Sequence, residues 1–288
     1  MATNSVNTNT GAMVALQQLN RTAEALNVTQ KRISTGYRVS DAKDDGAAFA
    51  VAQSVRADVS GLNSANEQLG GVKGILDTTL AGLTKVSDKM SDMKALLVKL
   101  SDDTINTDQR SQYGQQYTDL QNEMASTLRD ASYNGRALID TSGAAFTASS
   151  GAVPANLVAA NVVTVRNELA TTYTINMVDG ANLLVADVPA DAATARAALD
   201  DGGNFSTVMN ALNDSLNKFG SSSRYVDSQI DFNKQKMDSL EGGVGSLVDA
   251  DLAKESARLQ ALQIRQQLGT QSLSIANQSP QQLLTLFQ

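Results

Sequence analysis

Apolar residues recur at steps of three and four along two long stretches of the chain, Ala48–Leu100 and Met209–Leu247. A strict seven-residue period is typical of helices that pair as a left-handed coiled coil. At a rise of 1.5 Å per residue, the first helix would be about 80 Å long, so we expect an elongated rod. The first register has polar members at Asp58 and Thr79, and we expect packing to give way there.

Four shorter segments are also predicted to be helical. Residues 12–33 form an amphipathic helix, and residues 113–131 form a helix that ends before a turn. We expect a short helix at 190–200 and a last helix over 251–279, which Pro280 should end because proline lacks an amide hydrogen.

Between residues 139 and 205 the helical period disappears, and Gly, Ser, Ala and β-branched residues dominate. The segments NLVAANVVTV, TTYTINMV and ANLLVADV have the composition and borders of short strands. The predicted fold is therefore mainly α: an elongated antiparallel coiled-coil or helical-bundle rod with a small insert containing a β-hairpin. We expect three domains: 1–42 with 249–288, 43–140 with 206–248, and the insert 141–205.

The composition argues against an enzyme. The chain has neither Cys nor His, so it lacks the commonest general base, the commonest zinc ligand and every thiol nucleophile. Asp41, Asp44 and Asp45 do not have the spacing of a calcium loop, and we predict no metal or cofactor. The basic residues are single and spaced, which argues against nucleic-acid binding.

The start of the chain lacks the pattern of a secretory signal peptide, and no later stretch is long and apolar enough to span a membrane. We expect no stable membrane insertion. Taken alone, this pattern would indicate a cytoplasmic protein.

The two ends are unusual because they combine apolar residues with very little charge. Residues 266–288 carry no charged side chain, yet they include several Leu. A helix of this kind is marginal in water, so we expect the ends to order when other copies bury them. A two-helix coiled coil within one monomer is the alternative. The predicted polymerisation interface comprises Leu16, Leu19, Ala23, Leu26, Ile33, Leu259, Leu262, Leu273, Ala276, Leu283, Leu284, Leu286 and Phe287.

Three segments resemble bacterial flagellin, the subunit of the flagellar filament. They are RISTGYRVSDAKDDGA at 32–47, RDASYNGRAL at 129–138 and SIANQSPQ at 274–281. Within them, the motif residues are Arg32, Ser34, Gly36, Asp41, Asp44, Asp45, Asn134, Gly135, Asn277, Gln278 and Pro280. Each segment also has a structural explanation, as a helix cap, a loop or a tight turn. The segment DDGAAF at 44–49 is similar to that of alphaproteobacterial members of the family.

The resemblance implies a self-polymerising filament subunit, alone or together with paralogous flagellins. The paired ends would line an inner tube, the long helices would form a surrounding spoke, and the short insert would face outward. It also implies export in an unfolded state by the flagellar type III apparatus, without a cleaved signal, and an extracellular location. The implied partners are an export chaperone, the filament cap and hook-junction proteins.

Two other functions remain open at this stage. A hook-filament junction protein would share the terminal organisation, although the ending ANQSPQQLLTLFQ favours flagellin. A type III secreted, membrane-active effector would use its amphipathic ends on lipid, but such helices favour basic faces and interfacial aromatics.

Overall fold

The structure is a computed structural model that describes residues 8–142, 146, 158–185 and 188–285, with side chains described as far as residue 278. This part of the chain is mainly helical, with a small β insert, as predicted. The helices are α1 Thr10–Thr35, α2 Gly46–Leu100, α3 Thr107–Asp130, α4 Ala192–Leu199, α5 Asn204–Val248 and α6 Leu252–Thr285. The strands are β1 Arg136–Ala137, β2 Ile139–Asp140, β3 Val158–Ala159, β4 Val162–Val165, β5 Thr172–Ile175 and β6 Val178–Asp179.

The helices begin where short polar side chains can bond their free amides. Asn9 accepts from the amide of Ala12 at the start of α1, and Asp45 accepts from the amides of Ala47 and Ala48 at the start of α2. The polar break before α3 also acts as a cap. Asn106 and Gln109 form a reciprocal capping box there.

The chain divides into two compact units. The first, the terminal unit, comprises residues 1–58 and 238–288; the second, the central unit, comprises residues 59–237. The three-domain division expected from the sequence stays a prediction.

The core of the central unit confirms the first predicted register from Leu62 onwards, whereas its earlier member Val51 is 51% exposed. From Leu62 to Leu100, every predicted member of the register is buried. These members are Leu62, Ala65, Leu69, Val72, Leu76, Thr79, Leu83, Val86, Met90, Met93, Leu97 and Leu100. Helix α3 contributes Tyr117, Met124 and Leu128 to the core, and α5 contributes Leu212, Phe219 and Val226.

The expectation that packing gives way at Thr79 was wrong. Thr79 is fully buried, and its hydroxyl donates to the carbonyl of Ile75 one turn earlier, at 2.7 Å. Because its hydrogen bond lies within its own helix, a threonine can occupy an apolar seam at little cost.

The insert contains the predicted hairpin, formed by antiparallel pairing of β4 with β5. Its inward residues Val162 and Ile175 join the helical core. Two further pairs, β1 with β3 and β2 with β6, are parallel. The predicted strand in ANLLVADV is instead a 3₁₀ helix at Gly180–Leu183, because the carboxylate of Asp179 accepts from the amide of Ala181 and starts a helical turn.

The loop joining β4 to β5 contacts α5 through polar groups. Asn233 of α5 is fully buried, and its amide nitrogen donates to Asn66 Oδ1 at 2.9 Å and to the Arg166 carbonyl at 3.0 Å. Lys236 pairs with Glu168 at 2.5 Å, and this ammonium lowers the pKa of the Glu168 carboxyl. The loop is therefore held by a buried amide and an ion pair.

Helix α6 does not end at Pro280 as predicted, but continues to Thr285. Proline is compatible with helical φ, and its missing amide removes only one intrahelical hydrogen bond. No helix in the described ranges is long and apolar enough to cross a membrane.

Candidate assembly site at the paired terminal helices

Helices α1 and α6 pack against each other inside the terminal unit. The two ends of one chain therefore pair, as in the monomer coiled coil that the sequence left open. The helices approach closely at Gly269, where an added Cβ would lie 3.3 Å from Leu19 Cδ1. A second close point is Gly11, whose Cβ would lie 4.0 Å from Ala276 Cβ.

The seam between α1 and α6 buries few side chains. On α1 only Thr22 and Thr29 are buried, and on α6, as far as its side chains are described, only Glu255 and Leu262. The Thr22 hydroxyl donates to the carbonyl of Gln18, at 2.9 Å. The buried positions of this seam are therefore mostly hydroxyl-bearing or charged residues, with Leu262 as the one large aliphatic residue among those described, while Leu19, Leu26 and Ile33 are half-buried.

The predicted interface residues lie at different depths in this pair. Seven of them are half-buried: Leu19, Ala23, Leu26, Ile33, Leu259, Leu273 and Ala276. Leu262 is buried, whereas Leu16 is 48% exposed. The side chains of Leu283 and Leu284 are not described, and Leu286 and Phe287 lie outside the described residues.

The outer surfaces of both helices keep large apolar side chains in water. They are Met13, Val14, Leu16 and Val28 on α1, and Leu252, Ile264, Leu268 and Ile275 on α6, exposed by 43% to 65%. Exposed apolar side chains in this number on one helix pair are candidates for burial against other copies. We call these eight residues the outer apolar set.

Polar contacts fasten the helix pair near each of its ends. Arg32 Nη1 lies 3.2 Å from Glu255 Oε1, and the Glu255 side chain is only 10% exposed. Towards the other end, Asn9 Nδ2 donates to the carbonyl of Ala276 at 2.7 Å. Neither Asn9 nor Glu255 was singled out from the sequence, because each is a single polar residue without a distinctive spacing.

The first motif forms the turn from α1 to α2 and ties it to the turn from α5 to α6. Gly36 ends α1 with φ of 74°, a left-handed conformation that suits glycine. Its carbonyl accepts from the amide of Ala250, at 2.9 Å, and the carbonyl of Val248 accepts from the amides of Arg38 and Val39. Below this turn, Val39 packs with Ala52, Val244 and Val248 in a small core.

The carboxylates of the first motif hold the turn through hydrogen bonds and an ion pair. Asp44 accepts from the amide and hydroxyl of Ser40 and from Lys31, and these bonds lower the pKa of its carboxyl to about 2. Asp41 binds Lys31 at 2.8 Å, which lowers its pKa as well. Asp45 caps α2. Each carboxylate therefore has a structural role.

The second motif is also structural. Asn134 and Gly135 have φ of 50° and 74°, and Tyr133 and Arg136 exchange two backbone hydrogen bonds around them. These are the features of a two-residue hairpin turn, as the sequence predicts. Ser34 in the first motif and Asn277 and Gln278 in the third are exposed.

The chain is similar to known proteins over the regions that contain the terminal helices and the three motifs. Residues 6–144 match the bacterial flagellin N-terminal helical region, and residues 203–287 match the bacterial flagellin C-terminal helical region. Flagellin FljK of Caulobacter vibrioides is 36% identical over the full length of both chains. A flagellin of Brucella melitensis is 36% identical over 98% of this chain and 99% of its own.

Among solved structures, Bacillus cereus flagellin aligns with a TM-score of 0.48 and 19% identity, over 58% of this chain and 88% of its own. The two family matches together span most of the chain, including all three motifs and both terminal helices. The chain therefore belongs to the bacterial flagellin family and is a structural subunit of the extracellular flagellar filament, not an enzyme.

Proposed function

We propose that copies of this flagellin polymerise through the α1–α6 pair, with the outer apolar set and the end of α6 as the contact surface. The observation that carries this proposal is the exposure of Leu16, Ile264, Leu268 and Ile275 on two helices whose own seam is nearly devoid of large buried side chains. Each Leu or Ile removed from water contributes roughly 1.5 to 3 kcal/mol, so covering this set would stabilise the pair considerably.

The predicted interface residues would then act in two ways. Those at the intramolecular seam, such as Leu19 and Leu262, hold α1 and α6 together and so present the contact surface. Leu16 belongs to that surface directly. Leu283, Leu284, Leu286 and Phe287 stay predicted contact residues, since residues 266–288 carry no charge that would resist burial.

Charge substitutions on the outer apolar set test this proposal. Leu16→Asp and Leu268→Asp should abolish salt-induced polymerisation, because a buried unpaired carboxylate is costly, while leaving the helical circular dichroism of the monomer unchanged. The matched control is Val163→Asp, which changes an exposed valine of the insert. Normal filaments from both terminal variants, seen by electron microscopy, would contradict the proposal.

We further propose that the subunit is exported unfolded by the flagellar type III apparatus without a cleaved signal. Its partners would be an export chaperone, the filament cap, hook-junction proteins and paralogous flagellins. Membership of the flagellin family supports this assignment. Mass spectrometry of subunits from isolated filaments should find the N-terminal segment intact, and a mass lacking that segment would contradict uncleaved export.

A role as hook-filament junction protein is less well supported, because the full length of the chain is similar to curated flagellins. Self-assembly of the purified protein into long filaments separates the two functions.

A further inference from the structure

The side chain of Asn9 contacts the carbonyl of Ala276, four residues before Pro280 in α6. In an α-helix, the amide of each residue donates to the carbonyl four residues earlier. Residue 280 is a proline inside α6, so the carbonyl of Ala276 has no donor from its own helix. Pro280 is the only proline in α6.

The side chain of Asn9 supplies the missing donor from across the seam. Its Nδ2 lies 2.7 Å from the oxygen of Ala276, while its Oδ1 accepts from the amide of Ala12 at 3.0 Å and caps α1. Both ends of one amide are therefore used, one on each helix. Asp could not do this, because an ionised carboxylate has no donor, and Ser would have to use one oxygen atom for both bonds.

We propose that Asn9 and Pro280 together fix the register in which α1 pairs with α6. The seam itself defines the register poorly, since it buries only two threonines on α1 and its half-buried residues are small or repeat every seven positions. A shift of one heptad towards the start of α6 would place Asn9 against Gly269, whose carbonyl faces the amide of Leu273 in an unbroken helix. The Asn9 amide would then lose its acceptor.

The contact at the other end of the pair points to the same register. Arg32 meets Glu255 at 3.2 Å, and the heptad neighbours of Glu255 are Val248 and Leu262, neither of which can accept a hydrogen bond from its side chain. A buried polar residue at one position of an apolar seam commonly fixes register in this way.

Disulfide trapping tests the proposal in the full-length chain, which has no cysteine of its own. Leu19→Cys with Gly269→Cys reports the observed register, because these residues are in contact. Leu19→Cys with Leu262→Cys reports the shift of one heptad that places Asn9 against Gly269, and it leaves the Ala276 carbonyl in place. The ratio of shifted to observed disulfide, measured under mild oxidation, is the readout.

Asn9→Ser keeps a cap acceptor for α1 but removes the amide donor. Pro280→Ala gives the Ala276 carbonyl its own intrahelical donor. We expect each change to raise the ratio about fivefold, as suits the loss of one hydrogen bond. The double variant should show no further rise, because both changes remove the same contact. Asn20→Ser, on an exposed position of α1, is the matched control and should leave the ratio unchanged.

Three results would overturn the proposal. One is an unchanged ratio in both single variants. Another is additive effects in the double variant, which would mean that Asn9 and Pro280 act separately. The third is failure of the Leu19–Gly269 disulfide to form in the otherwise unchanged chain, which would refute the register itself. None of these readouts depends on polymerisation, so the result is independent of the assembly surface proposed above.

Discussion

The core of the central unit and the α1–α6 pair are both made of helices with a seven-residue period, but they bury different side chains. In the central unit, large residues such as Leu83, Met90 and Phe219 are fully buried. In the terminal pair, the buried positions among the described side chains are Thr22, Thr29, Glu255 and Leu262, while the outer apolar set stays in water. Since burial of apolar surface is the main source of stability, we expect the central core to be self-sufficient and the terminal pair to depend on further contacts.

The largest expected effect comes from removing part of the pair. Deletion of residues 269–288 should abolish polymerisation, because it removes the second half of α6 and the uncharged end. The central unit should keep its helical circular dichroism and its cooperative thermal unfolding. Electron microscopy and sedimentation after salt-induced assembly would test this. Filaments of the truncated chain would show that the terminal pair is not required.

Truncating a leucine of the central core should lower the stability of the monomer, whereas truncating a leucine of the outer apolar set should weaken polymerisation. Leu83→Ala leaves a cavity in the central core and should lower the free energy of unfolding by about 3 kcal/mol. Leu16→Ala removes an exposed side chain and should change monomer stability by less than about 0.5 kcal/mol, yet it should weaken polymerisation. Chemical denaturation and critical concentrations for assembly measure the two effects. If Leu16→Ala destabilised the monomer as much as Leu83→Ala, the proposed difference between the regions would be wrong.

Removing one partner of the Arg32–Glu255 ion pair should destabilise α1–α6 pairing more than removing both partners. Arg32→Met leaves the largely buried Glu255 unpaired and should destabilise α1–α6 pairing by about 2 kcal/mol. Arg32→Met with Glu255→Met should recover part of this loss, since two apolar side chains can pack together. Hydrogen exchange of α1 amides measures pairing. Lys73→Met, which breaks an exposed pair with Asp227, is the control and should cost under about 1 kcal/mol.

The smallest expected effect is a pH dependence in the central unit. Lys236 lowers the pKa of Glu168 below its ordinary value of 4.5, so the charged pair stabilises the β4–β5 loop above that pH. The contribution should be lost as the pH falls through the lower pKa of the folded state. Glu168→Gln should remove this part of the acid sensitivity, worth about 1 kcal/mol or less. Thermal midpoints at neutral and acidic pH compare the two proteins, and equal acid sensitivity would contradict the prediction.

The sequence predicted the central helices well because Leu, Val and Met occupy one strict seven-residue register from Leu62 to Leu100. Such a register places these residues on a single face of the helix, and that face is buried in the structure. The hairpin turn at Asn134-Gly135 was equally predictable, because its two positive φ angles favour those residue types. The family motifs pointed to structural turns rather than to chemistry.

The α1 seam was harder to predict because two registers share Leu19, Leu26 and Ile33. One continues through Leu16 and Ala23, and the other through Thr22 and Thr29, which is the face that is buried. Hydrophobicity favours the first register. The second is possible because a threonine such as Thr22 can bond a carbonyl of its own helix. The same chemistry explains why Thr79 is buried in α2.

The contacts of Asn9 and Glu255 could not have been deduced from spacing, because their partners are more than 200 residues away along the chain. Pro280 could have indicated the Asn9 contact, because a proline within a helix leaves the carbonyl four residues earlier without its helical donor. Its interpretation as a helix end was wrong because the free carbonyl is satisfied from another helix.

The backbone hydrogen bonds that join the turn after α1 to the turn before α6 have a consequence for proteolysis. The amides of Ala250, Arg38 and Val39 bond the carbonyls of Gly36 and Val248, so one end of the helix pair is fastened by backbone groups that a change of side chain other than to proline leaves in place. Among the described residues, the hydrogen bond that joins the far end is that of the Asn9 amide. We therefore expect unpairing to proceed from the tips inwards, and a protease should shorten α1 and α6 stepwise towards this fixed base.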